Sequence, residues 1–240
     1  MTPPDNHPVS DLHAYVCMLA GTGRLFRVLE EPNPAVPPPN RPPLTPPAPN
    51  DPAAILESIA EEIRGCQACP LCKTRIQAVP GVGHPRASLL LIGEAPGARE
   101  DEKGEPFVGP AGQLLTQALG AAGVGRSEVF IANVLKCRPP QNRDPLPDEI
   151  EACRPFLHRQ IDALQPRSIA ALGRIAAAWL LGRPVAIMRE RGTWTTYHGK
   201  PLFLSLHPSA VLHNPNNREL FLNDIAQLAS AVTKTTTPPQ

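Results

Sequence analysis

Apolar residues follow two rhythms along this chain. In the first, Ile55, Leu56, Ile59 and Ile63 recur at helical spacing and stop at Gly65, which predicts an amphipathic helix. In the second, three short unbroken apolar runs, Ser88–Ile92, Val129–Val134 and Ser168–Leu172, lack polar alternation and read as strands buried on both faces. Helical patterns over Gln113–Ala122, Asp148–Leu164 and Arg174–Leu181 follow them. A fourth strand is expected over Leu202–Leu206 and a closing helix over Arg218–Val232, with Gly192–Gly199 a turn-rich hairpin region. Strands alternating with helices indicate the α/β class with a parallel sheet. Such sheets bind ligands at the carboxyl ends of their strands. The segments to inspect are therefore Gly93–Gly97, Asn133–Arg138, Gly173 and His207–Asn214.

The first fifty residues follow another pattern. Leu12, Tyr15, Val16 and Leu19 sit at helical spacing after Ser10, so residues 1–31 are expected to carry a short helix. Eleven prolines lie between Pro32 and Pro52, and a segment so poor in large apolar side chains buries too little surface to offset its ordering entropy. Residues 32–52 read as a linker, 53–233 as the main domain and 234–240 as a tail. A helix resting on the main domain is the plainer reading of the arm; a protein partner for it is the alternative.

Composition narrows the field only slightly. The chain has 240 residues, an apolar fraction of 42% and a formal charge of +1, enough for one ordinary core and neutral as to nucleic acid, since a local basic stripe can hide in a balanced total. No apolar run is long enough to span a bilayer, and the N-terminus lacks the features of a secretory signal. A cytoplasmic location is expected, with no membrane partner. In that compartment thiols stay reduced, so Cys17, Cys66, Cys69, Cys72, Cys137 and Cys153 call for a reason other than disulfides. Cys66-x2-Cys69 provides a chelating pair and Cys137-x15-Cys153 a second; four thiolates suit zinc or an iron–sulfur cluster. Cys72 repeats the x2 spacing, and spacing alone does not choose among the three. Cys17 stands apart and reads as a small hydrophobe.

The stretch "GEAPGAREDEKGEPFVGPAG", residues 93–112, looks like a glycine-rich phosphate cradle, yet Glu94, Glu100, Asp101, Glu102 and Glu105 would repel phosphate. Together with "NVLKCRPPQNRDPLPDEIEAC" and "HPSAVLHN", in that order and on strand ends, it closely resembles the family 4, iron–sulfur, uracil-DNA glycosylases. The resemblance covers roughly residues 55 to 232. It implies a three-layer α/β/α sandwich around a four-stranded parallel sheet, and a structural [4Fe-4S] cluster held by Cys66, Cys69, Cys137 and Cys153. It implies hydrolysis of uracil from DNA, leaving an abasic site for base excision repair, by a monofunctional enzyme expected to act as a monomer.

The loop would then hold a neutral, planar base. By the resemblance, backbone groups of Glu94 and Ala95 contact the uracil and Phe107 stacks on it. Base chemistry in DNA requires extrusion and recognition of the Watson–Crick edge. The amide of Asn133 can donate to uracil O4 and accept from N3–H, the reverse of what cytosine presents; read alone, Asn133 serves equally well as a strand-end turn residue. His207, followed by Pro208 and Ser209, suits donation to O2, where negative charge develops on the leaving base. Ala95 stands where an aspartate orients water in the best-known branch, leaving Glu94 and Glu100 as candidates; Glu100, Asp101 and Glu102 equally suit a solvated acidic face. DNA phosphates are expected to meet Lys136, Arg138, Arg143 and the turn bearing Ser209 and His213. His213 occupies a place where arginine is common, which weakens phosphate attraction there.

Two rivals remain at this stage. A related branch bonds covalently to the abasic sugar through a histidine in a basic loop after the second strand, but "CRPPQNRDPLPDE" has none. A metal-stabilised nucleic-acid-binding module without catalysis would share the cysteines and lack base release.

Overall fold

The computed structural model describes residues 51–233; the helix expected near Leu12–Leu19, Cys17, most of the proline-rich linker and the tail lie outside the described residues. In chain order the elements are α1 (Pro52–Gly65), β1 (Val82–Gly83), β2 (Leu89–Gly93), α2 (Ala98–Lys103), α3 (Pro110–Ala121), β3 (Phe130–Asn133), α4 (Pro147–Leu164), β4 (Ser168–Leu172), α5 (Arg174–Leu181), α6 (Ile187–Glu190), β5 (Thr193–Tyr197), β6 (Lys200–Ser205), α7 (Ser209–His213) and α8 (Arg218–Thr233). Helix α1 starts where the carboxylate of Asp51 accepts the Ala53 N–H, with Pro52 in the first turn, where its missing N–H costs nothing. It buries Leu56, Ile59, Ala60 and Ile63.

The strands lie in the order β1-β3-β2-β4-β6-β5. The four expected parallel strands form the centre, β3-β2-β4-β6, and an antiparallel strand extends each edge, β1 on β3 and β5 on β6. The region expected as a turn-rich hairpin is thus mostly strand, Thr193–Tyr197, reversing at His198 and Gly199, both with positive φ, as a two-residue hairpin turn requires. No helix among the described residues is long and apolar enough to cross a membrane.

Period-two alternation divides each central strand between two cores. Leu90, Ile92, Ile169 and Ala171 face Leu157, Ile161, Ala177 and Leu180 of α4 and α5. Leu89, Leu91, Ala170 and Leu172 face Leu115, Leu119, Phe221 and Ile225 of α3 and α8. These two cores make the α/β/α sandwich. The helix after β2 lies on one face, and those after its neighbours β3 and β4 lie on the other. Chain paths therefore diverge above the end of β2, where open α/β sheets form their crevice. A third, smaller core gathers Ile59, Ile63, Leu71, Leu135, Cys137 and Cys153 beside α1.

Candidate active site and cysteine centre

A cavity of about 320 Å³ opens above the end of β2. Glu94, Ala95 and Phe107 line it, with Asn133 from the end of β3 and His207 and Ser209 beyond β6. Glu100, Arg143 and His213 also reach its wall. The strand ends are locked into one frame: Val134 N–H donates to Gly93 O at 3.0 Å, Leu135 N–H to Glu94 O at 2.9 Å and Gly173 N–H to Ser205 O at 2.9 Å.

Asn133 is 2% exposed, and its Oδ1 is buried without a hydrogen-bond donor among the described residues. Buried polar atoms are paired in the great majority of cases, so an acceptor left open on a cavity wall marks a place for a donor from outside. Gly93 makes room for it. A methyl group on Gly93 would lie 2.5 Å from both Asn133 Oδ1 and Phe107 Cζ.

Phe107 has φ +53°, strained for a residue with a Cβ, and two side chains hold it there. The Glu100 carboxylate accepts the N–H groups of Val108 at 2.9 Å and Gly109 at 2.7 Å, and Arg126 donates to Pro106 O at 2.6 Å. The aromatic ring rests 5.4 Å, centroid to centroid, from that of His207.

His207 accepts from the Ser209 backbone N–H at Nδ1, 3.2 Å away, with the Ser209 hydroxyl at 2.6 Å. Burial pushes its pKa down to about 4, against the pull of Glu100, so the ring is neutral near pH 7. With Nδ1 engaged as an acceptor of the N–H, the proton of the neutral ring sits on Nε2. Behind it, Ser205 donates to Asp224 at 2.9 Å, and Asp224 pairs with Arg191; Gly173, at φ +97°, leaves the space a Cβ would occupy 2.8 Å from the His207 Cβ.

The acidic run is not a solvated face. Asp101 is buried and accepts the backbone N–H groups of Ile76 and Gln77, and Glu100 serves the Phe107 turn; only Glu102 of the three is exposed. Burial raises the pKa of Glu94, reinforced by Asp144 and opposed by Arg174.

Lys136, expected on phosphate, is 1% exposed and points inward, Nζ donating to Asn133 O at 2.9 Å and Gln160 Oε1 at 2.7 Å. It cannot reach DNA. Its position after β3 carries the side chain under the loop, where packing overrides the sequence impression of a basic strand end. Arg138 is half-buried and bonds Asn142. Arg143 is bidentate with Glu149, whose carboxylate also accepts the Leu146 N–H and so starts α4. The sequence did not single out Arg174, an exposed residue opening α5 at the cavity rim and paired with Asp144; its place directly after Gly173 was the available signal.

Behind this cavity, Cys66, Cys69, Cys137 and Cys153 line a second, smaller one together with Ile63 and Phe156. Cys72 lines it too and also faces an open groove beside β1. Among the described residues no three His, Cys, Asp or Glu side chains form a single-ion group. The donor set nonetheless fits a metal centre: soft sulfurs share one largely apolar space, and N–H groups point at them. Arg75 donates to Cys137 Sγ at 2.9 Å, and Ala68 N–H approaches Cys66 Sγ at 3.5 Å. Arg75 also donates to the carbonyls of Arg64 at 3.1 Å and Cys66 at 2.7 Å, tying the end of α1 to the loop after β3.

Known proteins align with this arrangement. The model of the Uracil DNA glycosylase superfamily matches residues 80–229. The chain belongs to the uracil-DNA glycosylase superfamily. It is 48% identical over 181 residues to a type-4 uracil-DNA glycosylase of Pyrobaculum aerophilum, covering 71% of this chain and 91% of that one. The figures for the type-4 enzyme of Thermotoga maritima are 41% over 184 residues, 75% and 96%. A type-5 uracil-DNA glycosylase of Pyrobaculum aerophilum is 31% identical over 170 residues. In this superfamily member the matched residues include β2, β3, β4 and β6, whose ends carry the cavity.

Proposed function

We propose that the chain excises uracil from DNA by hydrolysing its N-glycosidic bond, leaving an abasic site, as the first step of base excision repair. The open Oδ1 of Asn133, buried on the wall it shares with Phe107 and His207, carries this reading. Uracil flipped out of the helix brings an N3–H to that acceptor. Cytosine brings a second acceptor and leaves both atoms unpaired, a costly outcome in a buried site. Phe107 stacks on the base, and backbone groups of Glu94 and Ala95 border it.

Bond cleavage leaves negative charge on the departing uracil, concentrated at O2 and N1. Nε2–H of the neutral His207 donates to O2 and stabilises that charge as it forms; removing one such preorganised donor costs about 10²–10³ in rate. Because Glu100 is committed to the Phe107 turn, Glu94 is the better carboxylate for orienting the attacking water. Arg138, Arg143, Ser209 and His213 face the DNA backbone in this reading, and Lys136 does not.

Cys66, Cys69, Cys137 and Cys153, which line one cavity, would hold a [4Fe-4S] cluster; it would supply a structural tie between the end of α1, the loop after β3 and α4 and would take no part in the reaction. A single chain working in the cytoplasm completes the proposal. The test is to incubate the purified protein with a uracil-containing oligonucleotide, cleave abasic sites with alkali and record the visible spectrum of the same sample. Strand scission by a brown, broadly absorbing protein is expected. Colourless, inactive protein retaining zinc would overturn the reading in favour of a non-catalytic binding module.

A further inference from the structure

The hydrogen-bond acceptors of the Lys136 ammonium are both neutral: the Asn133 carbonyl and Gln160 Oε1. Gln160 is itself fixed, donating through Nε2 to Pro80 O at 2.8 Å, and among the described residues no carboxylate pairs with Lys136. Lys136 also forms part of the wall of the cysteine cavity, beside Cys137 and Cys153. One side chain therefore joins two sites. It lines the space that holds the sulfurs, and its tip grips the main chain of the residue whose open amide oxygen belongs to the base cavity.

We propose that Lys136 is a positioning residue that couples the cysteine centre to base recognition: its place in the wall of the cysteine cavity sets the path of its stem, and its tip fixes Asn133 against an incoming uracil. The inference rests on the uracil reading of the cavity and on a metal centre held in the cysteine cavity. It also gives the cysteine centre a second consequence, since losing that centre loosens the hold on a side chain in the neighbouring cavity.

The test uses the full chain with its metal centre and the substitution Lys136→Met, which keeps the length of the stem and removes the charge and both hydrogen bonds. Free uracil is titrated as an inhibitor of oligonucleotide cleavage, binding to abasic-site duplex is measured separately, and loss of visible absorbance is followed in chelator. The inhibition constant for uracil should rise about ten-fold or more, the equivalent of losing a hydrogen bond from a charged donor. Abasic-site affinity should hold, and bleaching should quicken. Uracil inhibition that is unchanged, an equal loss of abasic-site affinity, or unaltered bleaching would each overturn the proposal. If Lys136→Met yields no folded protein, Gln160→Met serves instead. It leaves the bond to Asn133 and frees the other side of the ammonium, so a smaller rise in the uracil constant is expected and none would count against the coupling. Should the unmodified protein neither release uracil nor be inhibited by it, the reading of the cavity fails and this inference with it; normal uracil inhibition in both proteins overturns the inference alone.

Discussion

The base cavity and the cysteine cavity adjoin each other but are built by opposite means. The first is assembled from the ends of hydrogen-bonded strands. Gly93 and Asn133 close β2 and β3, Gly173 follows β4, and His207 stands two residues beyond β6, all at one end of the same sheet. The second joins pieces far apart in the chain: the end of α1, a short turn, the loop after β3 and the middle of α4. Its sulfurs belong to no common ladder, and Arg75 is the side chain that binds three of those pieces, through Arg64 O, Cys66 O and Cys137 Sγ. A sheet delivers precise placement as a by-product of folding. Loops and helix ends need a dedicated tie, here a guanidinium and, in the proposed function, a metal centre.

That contrast breaks or holds by mutation. The largest effect is expected from His207→Ala, a loss of about 10²–10³ in kcat with the visible absorption of the cysteine centre untouched; absorption that fell with activity would show that the two regions are not separable. Next is Glu100. Glu100→Ala frees the Val108 and Gly109 N–H groups and relaxes the left-handed Phe107, costing about ten-fold in kcat/KM. Glu100→Gln keeps an oxygen acceptor for both and should retain most of the activity, whereas equal loss in both variants would return Glu100 to water orientation. Arg75→Met should act on the other region. Faster amide exchange is expected over residues 64–75 and a stability loss of about 1–3 kcal/mol, with little change in kcat.

The smallest effect is a pH dependence. Burial pushes the His207 pKa down to about 4, below the ordinary imidazole value of 6.5. Between those values the unfolded chain takes up a proton that the folded chain refuses, so this contribution to stability is complete above about 6.5 and is lost as the pH falls toward 4. Denaturant midpoints measured across that window should fall less steeply for His207→Ala than for the unmodified protein. Equal slopes would mean that the ring is charged in the folded state.

The sequence was informative where burial imposes a period. Ser168–Leu172 and Arg174–Leu181 match their elements because every strand residue is buried and the helix buries one stripe. β5 was harder to see: its three threonines are exposed or half-buried on an edge strand, and such residues also favour turns. β1 has two residues, Val82 and Gly83, the second a glycine of positive φ like Gly81 just before the strand, too little pattern for any periodicity. In the site, residues at strand ends were legible because topology sends them to one crevice. Side chains whose role depends on direction were not. Lys136 looks like a phosphate contact and turns into the core; Glu100 and Asp101 look solvated and instead cap backbone N–H groups. Arg75 follows no spacing rule, since its three partners meet only in the folded chain.

Gly93 carries a further implication for how specificity can drift. A single main-chain carbon forms the floor beneath both the ring proposed to stack and the amide proposed to select, so neither can be refined by adding bulk from below without displacing the other. Descendants of this protein that accept a different base are therefore expected to have moved the backbone of the strand end first, with any exchange of side chains following that shift.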